Sequence, residues 1–289
     1  MDRQKKIAII NDLSGYGRCS LTVAIPVISA MKVQCCPVPT SILSNHTAYP
    51  SYFFDDYTER MTPYLEEWKK LHLHFDGIAT GFLGSARQIA IVTDMIHAFK
   101  AGDTRVLVDP VMGDHGKPYA TYTPAMCNDM KRLVGCGDIV TPNLTEACLL
   151  SDIPYRKEGW TRKELTAMAV RILELGPKQV VITGVEQGAY LLDVICEKDR
   201  PPEFLRTKRV GSERFGTGDL FSAILAANMV KDIPLADSVR QAAAFVKLCI
   251  RKSEEWDIPV TDGVCFEELA KFSVSAETAA QTISCPYSP

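Results

Sequence analysis

Short β-rich apolar runs alternate with segments of helical periodicity along most of this chain, and that alternation limits the folds open to it. The expected strands are Lys6–Ile10, Val38–Leu43, Gly77–Thr80, Thr104–Val108, Asp138–Val140 and Gln179–Thr183. The expected helices are Cys19–Met31, Tyr57–Leu71, Ser85–Phe99, one starting near Asn143, and Thr161–Leu175. Strands that alternate with helices form a parallel sheet covered on both faces. We therefore predict an α/β fold, with a mostly parallel central sheet flanked by helices on both faces.

The last third of the chain departs from this alternation. Gly188–Val194 and Glu203–Lys208 are expected to pair as an antiparallel edge of the sheet, joined by the polar loop Glu197–Pro202. Helices resume from Thr217. Because no stretch has the composition of a linker, we expect a single domain over residues 1–274, followed by a loose C-terminal tail, residues 275–289.

Charge and cysteine usage exclude several classes of protein. The 32 Lys and Arg residues against 35 Asp and Glu give a net charge of -3, too balanced for a protein of nucleic acids or membrane surfaces. The ten cysteines are scattered, with Cys35 and Cys36 adjacent and no C-x-x-C pattern, which is typical of reduced thiols. We find neither a secretory signal nor an apolar run of ~20 residues, so we expect a cytoplasmic protein without a membrane partner.

The segment from Arg214 to Leu225 holds the most informative motif. Gly216 and Gly218 can expose backbone N–H groups, and the apolar run after Asp219 continues as a helix. Free amides and the positive end of a helix dipole then lie beside a carboxylate, an arrangement that can hold an oxyanion next to a general base. Taken alone, the same motif fits a turn and helix N-cap equally well.

Two further motifs follow predicted strands. In the first motif, Val106–Asp114, a buried-type strand ends at Asp109. In the second motif, Asp138–Ala147, Asn143 and Glu146 lie three residues apart on one helical face. Ligand sites of doubly wound sheets form at the carboxyl ends of strands. For the second motif, a helix N-terminus that carries an acidic residue is the simpler structural explanation.

Together these motifs resemble those of the ribokinase-like superfamily of ATP-dependent kinases, through Phe-Gly-Thr-Gly-Asp-Leu-Phe-Ser-Ala, Asp-Pro-Val-Met-Gly-Asp and Thr-Pro-Asn-x-x-Glu. The resemblance implies a ribokinase-like fold, with Asp219 as catalytic base and Gly216, Thr217 and Gly218 as an anion hole. It implies that Mg²⁺ is positioned by Asp109 and Glu146 together with Asn143, and it leaves a monovalent cation open as a further ion. The residues implied to bind ATP are Asp109, Asp114, Thr141, Asn143, Glu146, Thr183 and Gly218.

The N-terminal half resembles the pyridoxal kinases of this superfamily. Ser-Asn-His-Thr at residues 44–47, the first loop Asn11–Gly17 and Thr-Gly-Phe-Leu-Gly-Ser at residues 80–85 carry the resemblance. It implies that the pyridine substrate is bound by Asp12, Ser14, Thr47, Phe82 and Tyr119, the last from a lid at residues 113–120. Phe82 stands where the family usually has tyrosine, and Asp12 near its usual serine, so we expect these changes to affect the preferred vitamer.

From these features we predict ATP-dependent phosphorylation of the 5′-hydroxymethyl group of pyridoxal, pyridoxamine or pyridoxine. A hydroxymethylpyrimidine kinase is the nearest alternative, and a catalytically silent vitamer-binding protein is another. A nicotinamide-dependent dehydrogenase is disfavoured because no G-x-G-x-x-G follows the first strand. The resemblance also implies a homodimer, to which the apolar stretch Tyr49–Phe54 is a candidate contributor.

Overall fold

Residues 3–268 are described by a computed structural model, in which strands and helices alternate as the sequence predicts. The strands are β1 (Lys6–Tyr16), β2 (Gln34–Asn45), β3 (Phe54–Asp56), β4 (Gly77–Thr80), β5 (Arg105–Val108), β6 (Gly113–Asp114), β7 (Lys117–Pro118), β8 (Ile139–Val140), β9 (Gln179–Gln187), β10 (Tyr190–Glu197) and β11 (Glu203–Lys208). The helices are α1 (Ser20–Ala30), α2 (Thr58–Lys70), α3 (Ala86–Phe99), α4 (Pro124–Gly135), α5 (Leu144–Ser151), α6 (Arg162–Leu173), α7 (Thr217–Met229) and α8 (Leu235–Glu255), followed by a 3-10 turn at Val260–Asp262.

Nine of these strands form one sheet in the order β11-β10-β9-β8-β5-β4-β1-β2-β3. The six strands from β9 to β2 in that order are parallel, while β3 at one edge and β10–β11 at the other are antiparallel. From β1 the chain moves first to β2 on one side and then to β4 on the other. Such a reversal opens a crevice at the carboxyl ends of the strands, where ligands bind in sheets of this kind.

Alternate side chains of β1 show how the sheet is buried on both faces. Ile7 and Ile9 pack with α1, α7 and α8, whereas Ala8 and Ile10 face the core formed with α2 to α6. All four are buried, which agrees with the continuous apolar runs that parallel strands require. The sheet therefore separates two hydrophobic cores and leaves its strand ends for polar side chains.

Four of the eight helices, α3 to α6, begin at a side-chain cap, and α7 does not. The Asn143 side chain accepts from the Glu146 N–H and the Glu146 carboxylate accepts from the Asn143 N–H at the start of α5; Thr161 and Glu164 do the same for α6. Helix α7 instead begins at Gly216, with φ 75° and ψ 0° and no side-chain cap. Its first amides therefore lack the side-chain acceptors found at the start of α3 to α6.

The predicted fold is confirmed, with local differences in extent. Strand β1 continues beyond Ile10 because residues up to Tyr16 keep pairing with β2 past a register shift between Asn11 and Leu13. The predicted antiparallel pair β10–β11 is present, and β3 adds a second antiparallel edge that was not predicted. Helix α4 was also not predicted, although Thr123 caps it and Pro124 opens it. The predicted tail, residues 275–289, lies outside the described residues.

The cysteines and the apolarity of the helices can be compared with what the sequence predicts. Nine cysteines of the described part are free thiols, at positions 19, 35, 36, 127, 136, 148, 196, 249 and 265. Between residues 3 and 268, no helix combines the length and apolarity needed to cross a membrane.

Candidate active site

Asp219 lies in the first turn of α7, at the carboxyl edge of the parallel strands. Its Oδ1 accepts a hydrogen bond of 3.2 Å from the Asn11 side-chain amide at the end of the apolar part of β1. The backbone N–H of Ser20 also donates to the carboxylate. Burial is the main reason that the pKa of Asp219 is raised to about 6, with repulsion from Asp12 adding to it. A carboxylate with such a pKa can accept a proton near neutral pH.

The loop before Asp219 has the geometry of an anion site. Gly216 adopts φ 75°, and a Cβ built on it would lie 1.9 Å from the carbonyl oxygen of Arg18, so only glycine fits. A Cβ on Gly218 would meet no atom within 4 Å, which shows open space in front of this turn. The Thr217 hydroxyl donates back to the Arg214 carbonyl. The free amides of α7 thus face a space where an oxyanion can be held by N–H groups and the helix dipole.

Asp109 and Glu146 form an acidic cluster beside Asp219. The Ser222 hydroxyl donates to Asp109 over 2.6 Å and lies 3.4 Å from the Thr141 hydroxyl. Glu146 is 3% exposed, and burial followed by repulsion from Asp109 raises the pKa of its carboxyl well above the usual range. Burial and the charge of Asp219 likewise raise the pKa of Asp109.

This cluster fits a divalent cation by the chemistry of its donors. Among the described residues, no lysine or arginine side chain bonds to Asp109 or Glu146, so their charges are not neutralised by the protein. Both oxygens of Glu146 accept backbone N–H groups, of Met112 at 3.1 Å and of Asn143 at 2.8 Å. Mg²⁺ prefers few carboxylates together with water and phosphate oxygens. Asp109 can bind the ion directly, and Glu146 keeps lone pairs that can bind a water ligand of the ion. Both residues therefore suit that preference.

The remaining candidates for ATP binding lie around the start of α5. The Asn143 amide donates to the Gly113 carbonyl over 2.9 Å, and Asn143 forms a parallel bridge with Thr183. Thr183 is half-buried, and its N–H donates to the Pro142 carbonyl. Asn143 therefore connects the turn after β8 with β9 and with the predicted lid.

The predicted lid is a short hairpin of β6 and β7. Gly116 at its tip donates its N–H to the Thr145 hydroxyl over 2.9 Å. Asp114 is half-buried, whereas His115 is exposed and lies 3.4 Å from Glu213. Tyr119 follows the hairpin, and burial together with the carboxylates of the site raises the pKa of its hydroxyl. The hairpin thus places Asp114 and Tyr119 on the side of the acidic cluster.

The candidate substrate residues occupy different environments. Asp12 is buried, and its two oxygens accept hydroxyl hydrogen bonds from Ser14 over 2.9 Å and from Ser20 over 2.6 Å. Burial raises the pKa of Asp12 despite these donors. Phe82 is half-buried in the segment after β4, while Thr47 is exposed in the turn after β2. Asp12 and Ser14 therefore already bond to each other, and Phe82 and Thr47 retain exposed surface.

A C-terminal segment, residues 258–267, borders this side of the site. Arg18 donates its N–H to the Asp262 carbonyl and pairs with Glu267 over 2.7 Å. His46, stacked on Phe215 at 4.4 Å, lies 2.7 Å from the Thr261 carbonyl. Further contacts to the segment come from the side chains of Tyr16, Tyr49 and Arg214. The segment holds the loop after β1 against the loop that leads into α7.

The structure gathers Asp219, Gly216, Thr217, Gly218, Asp109, Glu146 and Asn143 at one edge of the sheet. Three polar residues that complete this group, namely Asn11, Ser20 and Ser222, were given no role from the sequence, although Asn11 and Ser222 lie inside the motifs. Asn11 had a usable signal, since it follows the apolar run of β1 directly. The position of Ser222 one turn after Asp219 in α7 was a second signal.

Comparisons with known proteins place the chain in a family of kinases. Residues 24–261 match the phosphomethylpyrimidine kinase family. A pyridoxal kinase from Leifsonia xyli is 27% identical over 254 residues, 83% of this chain and 87% of the relative. A structure from Bacteroides thetaiotaomicron, provisionally described as a phosphomethylpyrimidine kinase and crystallised with pyridoxal, is 36% identical, with a TM-score of 0.87 and coverage of 93% and 94%. Pyridoxal kinase from Lactobacillus plantarum is 25% identical, with a TM-score of 0.86 and coverage of 93% and 96%.

Proposed function

Since the chain belongs to the phosphomethylpyrimidine kinase family, we propose that this kinase transfers the γ-phosphoryl group of ATP to the 5′-hydroxymethyl group of vitamin B6 vitamers. One observation carries the proposal: Asp219 lies in the first turn of α7, beside uncapped amides and next to Asp109. The similarity to pyridoxal kinases, and to a structure solved with pyridoxal at 36% identity, supports a vitamer as the substrate.

In the proposed reaction the Asp219 carboxylate takes the proton of the substrate hydroxyl as the oxygen attacks the γ-phosphorus. A new P–O bond forms, the bond to the β-phosphate oxygen breaks, and ADP leaves with that electron pair. The amides of Gly216, Thr217 and Gly218 stabilise the negative charge of the transferring group. Asp109 and Glu146 would hold Mg²⁺, with Asn143 orienting the Glu146 side chain. The ion would neutralise phosphate charge. Phe82 and Tyr119 would offer aromatic surface to the substrate ring, and Asp12, Ser14 and Thr47 are the further residues proposed to bind it.

A hydroxymethylpyrimidine kinase is the second candidate, because the matching family carries the name of that chemistry. Its substrate also presents a hydroxymethyl group on an aromatic heterocycle. The same base and anion site would serve either substrate, so only the ring contacts distinguish them.

We propose a homodimer for this enzyme. Tyr52, Phe53 and Phe54 are exposed at the edge of the sheet next to β3, where Phe53 is 64% exposed. Contiguous apolar surface of this kind is typical of protein interfaces.

The free thiols of the described part support a reducing cytoplasmic environment.

The deciding experiment incubates the protein with Mg-ATP and, separately, pyridoxal, pyridoxamine, pyridoxine or hydroxymethylpyrimidine. ADP release gives the rate, and mass spectrometry identifies the phosphorylated product. We expect phosphorylation of at least one B6 vitamer. Phosphorylation of the pyrimidine alone would establish the second candidate, and tight vitamer binding without ADP release would refute a kinase acting on vitamers.

Asp219→Asn tests the base. It should lower kcat by about 10²–10⁴-fold while leaving ATP affinity largely intact. Asp237→Asn is a matched control, because Asp237 also lies in the first turn of a helix, α8, and is exposed. Near wild-type kcat in Asp219→Asn would remove the base from the proposal.

A further inference from the structure

The side-chain amide of Asn11 makes three hydrogen bonds that fix its orientation. Its Oδ1 accepts from the backbone N–H of Asp12 at 3.0 Å and of Phe82 at 2.9 Å. Only the carbonyl end of an amide accepts two N–H groups, so the NH₂ end must face the Oδ1 of Asp219, at 3.2 Å. The side chain thus bonds at one end to the proposed base and at the other to the segment that carries Phe82.

The packing around Asn11 leaves the amide little freedom. Asn11 is 6% exposed. A Cβ built on Gly81 would lie 2.5 Å from Asn11 Nδ2, so the glycine provides the space that the amide occupies. Gly81 is itself tied to β1, because its N–H donates to the Ile10 carbonyl over 2.7 Å. The amide and the segment at Phe82 are therefore held as one unit.

We propose that Asn11 is a positioning residue that orients the Asp219 carboxylate and couples it to the segment carrying Phe82. The inference rests on the proposed function, because it takes Asp219 as the base and Phe82 as part of the substrate site. The NH₂ group occupies one oxygen of Asp219 and leaves the carboxylate's remaining lone pairs for the substrate hydroxyl. Without this donor the carboxylate keeps only the Ser20 N–H as a partner. It can then rotate more about its Cβ–Cγ bond, and fewer encounters place it in line with the hydroxyl proton.

Asn11→Asp tests the donor with almost no change of volume. One Asp oxygen can still accept the N–H groups of Asp12 and Phe82, but the other faces Asp219 without the N–H donors of the amide. At pH 8 we expect kcat to fall by about 10–100-fold, while the dissociation constant of ATP stays within about threefold of wild type.

Gly81→Ala is an independent variant that keeps Asn11. Its Cβ would push the amide away from Asp219, so kcat should fall in the same direction as in Asn11→Asp. Because this variant adds no charge, it keeps the inference testable if Asn11→Asp fails to fold.

Thr40→Val is the matched control. Thr40 donates its hydroxyl to the Phe82 carbonyl over 3.1 Å and forms no hydrogen bond with Asp219. Loss of this bond loosens the same segment without touching the base, so the vitamer KM should rise while kcat stays within about threefold of wild type. A purely structural role for Asn11 would give the pattern of Thr40→Val.

All rates are measured with whichever hydroxymethyl substrate the wild-type protein phosphorylates. Wild-type kcat in folded Asn11→Asp or Gly81→Ala would overturn the inference and leave the proposed function intact. Absence of turnover by the wild-type protein on every substrate would refute the proposed function and the inference with it.

Discussion

Replacement of Gly216 by alanine should damage both the fold and the reaction, by amounts that follow from two features of this turn. The left-handed backbone at φ 75° lowers the free energy of unfolding of the alanine variant by roughly 1–2 kcal/mol. Its Cβ would also lie 1.9 Å from the Arg18 carbonyl oxygen, so the two backbones must separate by about 1 Å or more. Overpacking of this kind adds roughly 1–3 kcal/mol. Displacement of the anion site by about 1 Å is sufficient to lower kcat ~100-fold.

Gly188→Ala separates the two effects. Gly188, in the turn between β9 and β10, has φ 61°, and a Cβ there would meet no atom within 4 Å. The left-handed backbone strain alone should destabilise this control. Its Tm should decrease by about 2–8 °C, and its kcat should be unchanged. Gly216→Ala should unfold at a clearly lower temperature than Gly188→Ala. Thermal denaturation and ADP release measure both effects; equal Tm values with kcat of Gly216→Ala within threefold of wild type would refute the reasoning.

Three further outcomes are expected. The pKa of Asp219 is raised to about 6, so the base is protonated as pH falls through that value, and kcat/KM should decline below about pH 6; a profile flat to about pH 5 would contradict this. Asp12→Asn should reduce the preference for pyridoxamine over pyridoxal, because a carboxylate favours a cationic substrate, and an unchanged ratio of kcat/KM values would argue against that role. Gly218→Ala places a Cβ in open space, so Tm should hold while kcat or ATP affinity falls; retention of both would exclude an anion at this turn.

The fold was predictable because its strands are buried on both faces. Runs such as Gly77–Thr80 are buried at every position, since helices cover each side of the sheet. Helix α4 and strand β3 were missed for physical reasons. Helix α4 lies close behind the hairpin β6–β7, in a stretch whose glycines and prolines indicate loops, and the three residues of β3 gain their structure by pairing with β2.

The candidate site was predictable where one motif holds the chemistry. Asp219 and its glycines are contiguous, and Glu146 and Asn143 form a recognisable capping box. The contribution of Asn11 depends on Asp219, 208 positions away, and on the space left by Gly81. The contacts of residues 258–267 with Arg18 and His46 likewise arise only from tertiary packing. Such contacts leave no periodic or local signal in the sequence.

The contacts of residues 258–267 also set an order of events during synthesis. Arg18 meets Glu267 across 249 positions, and Tyr16 meets Asp262 across 246. The loop after β1 leaves the ribosome long before these partners, so it acquires them only when nearly all of the described chain has followed. Closing so long a loop delays contact formation. A nascent chain that still lacks this segment can form much of the sheet but not the finished wall of the site, so activity should appear late in synthesis, after most of the secondary structure.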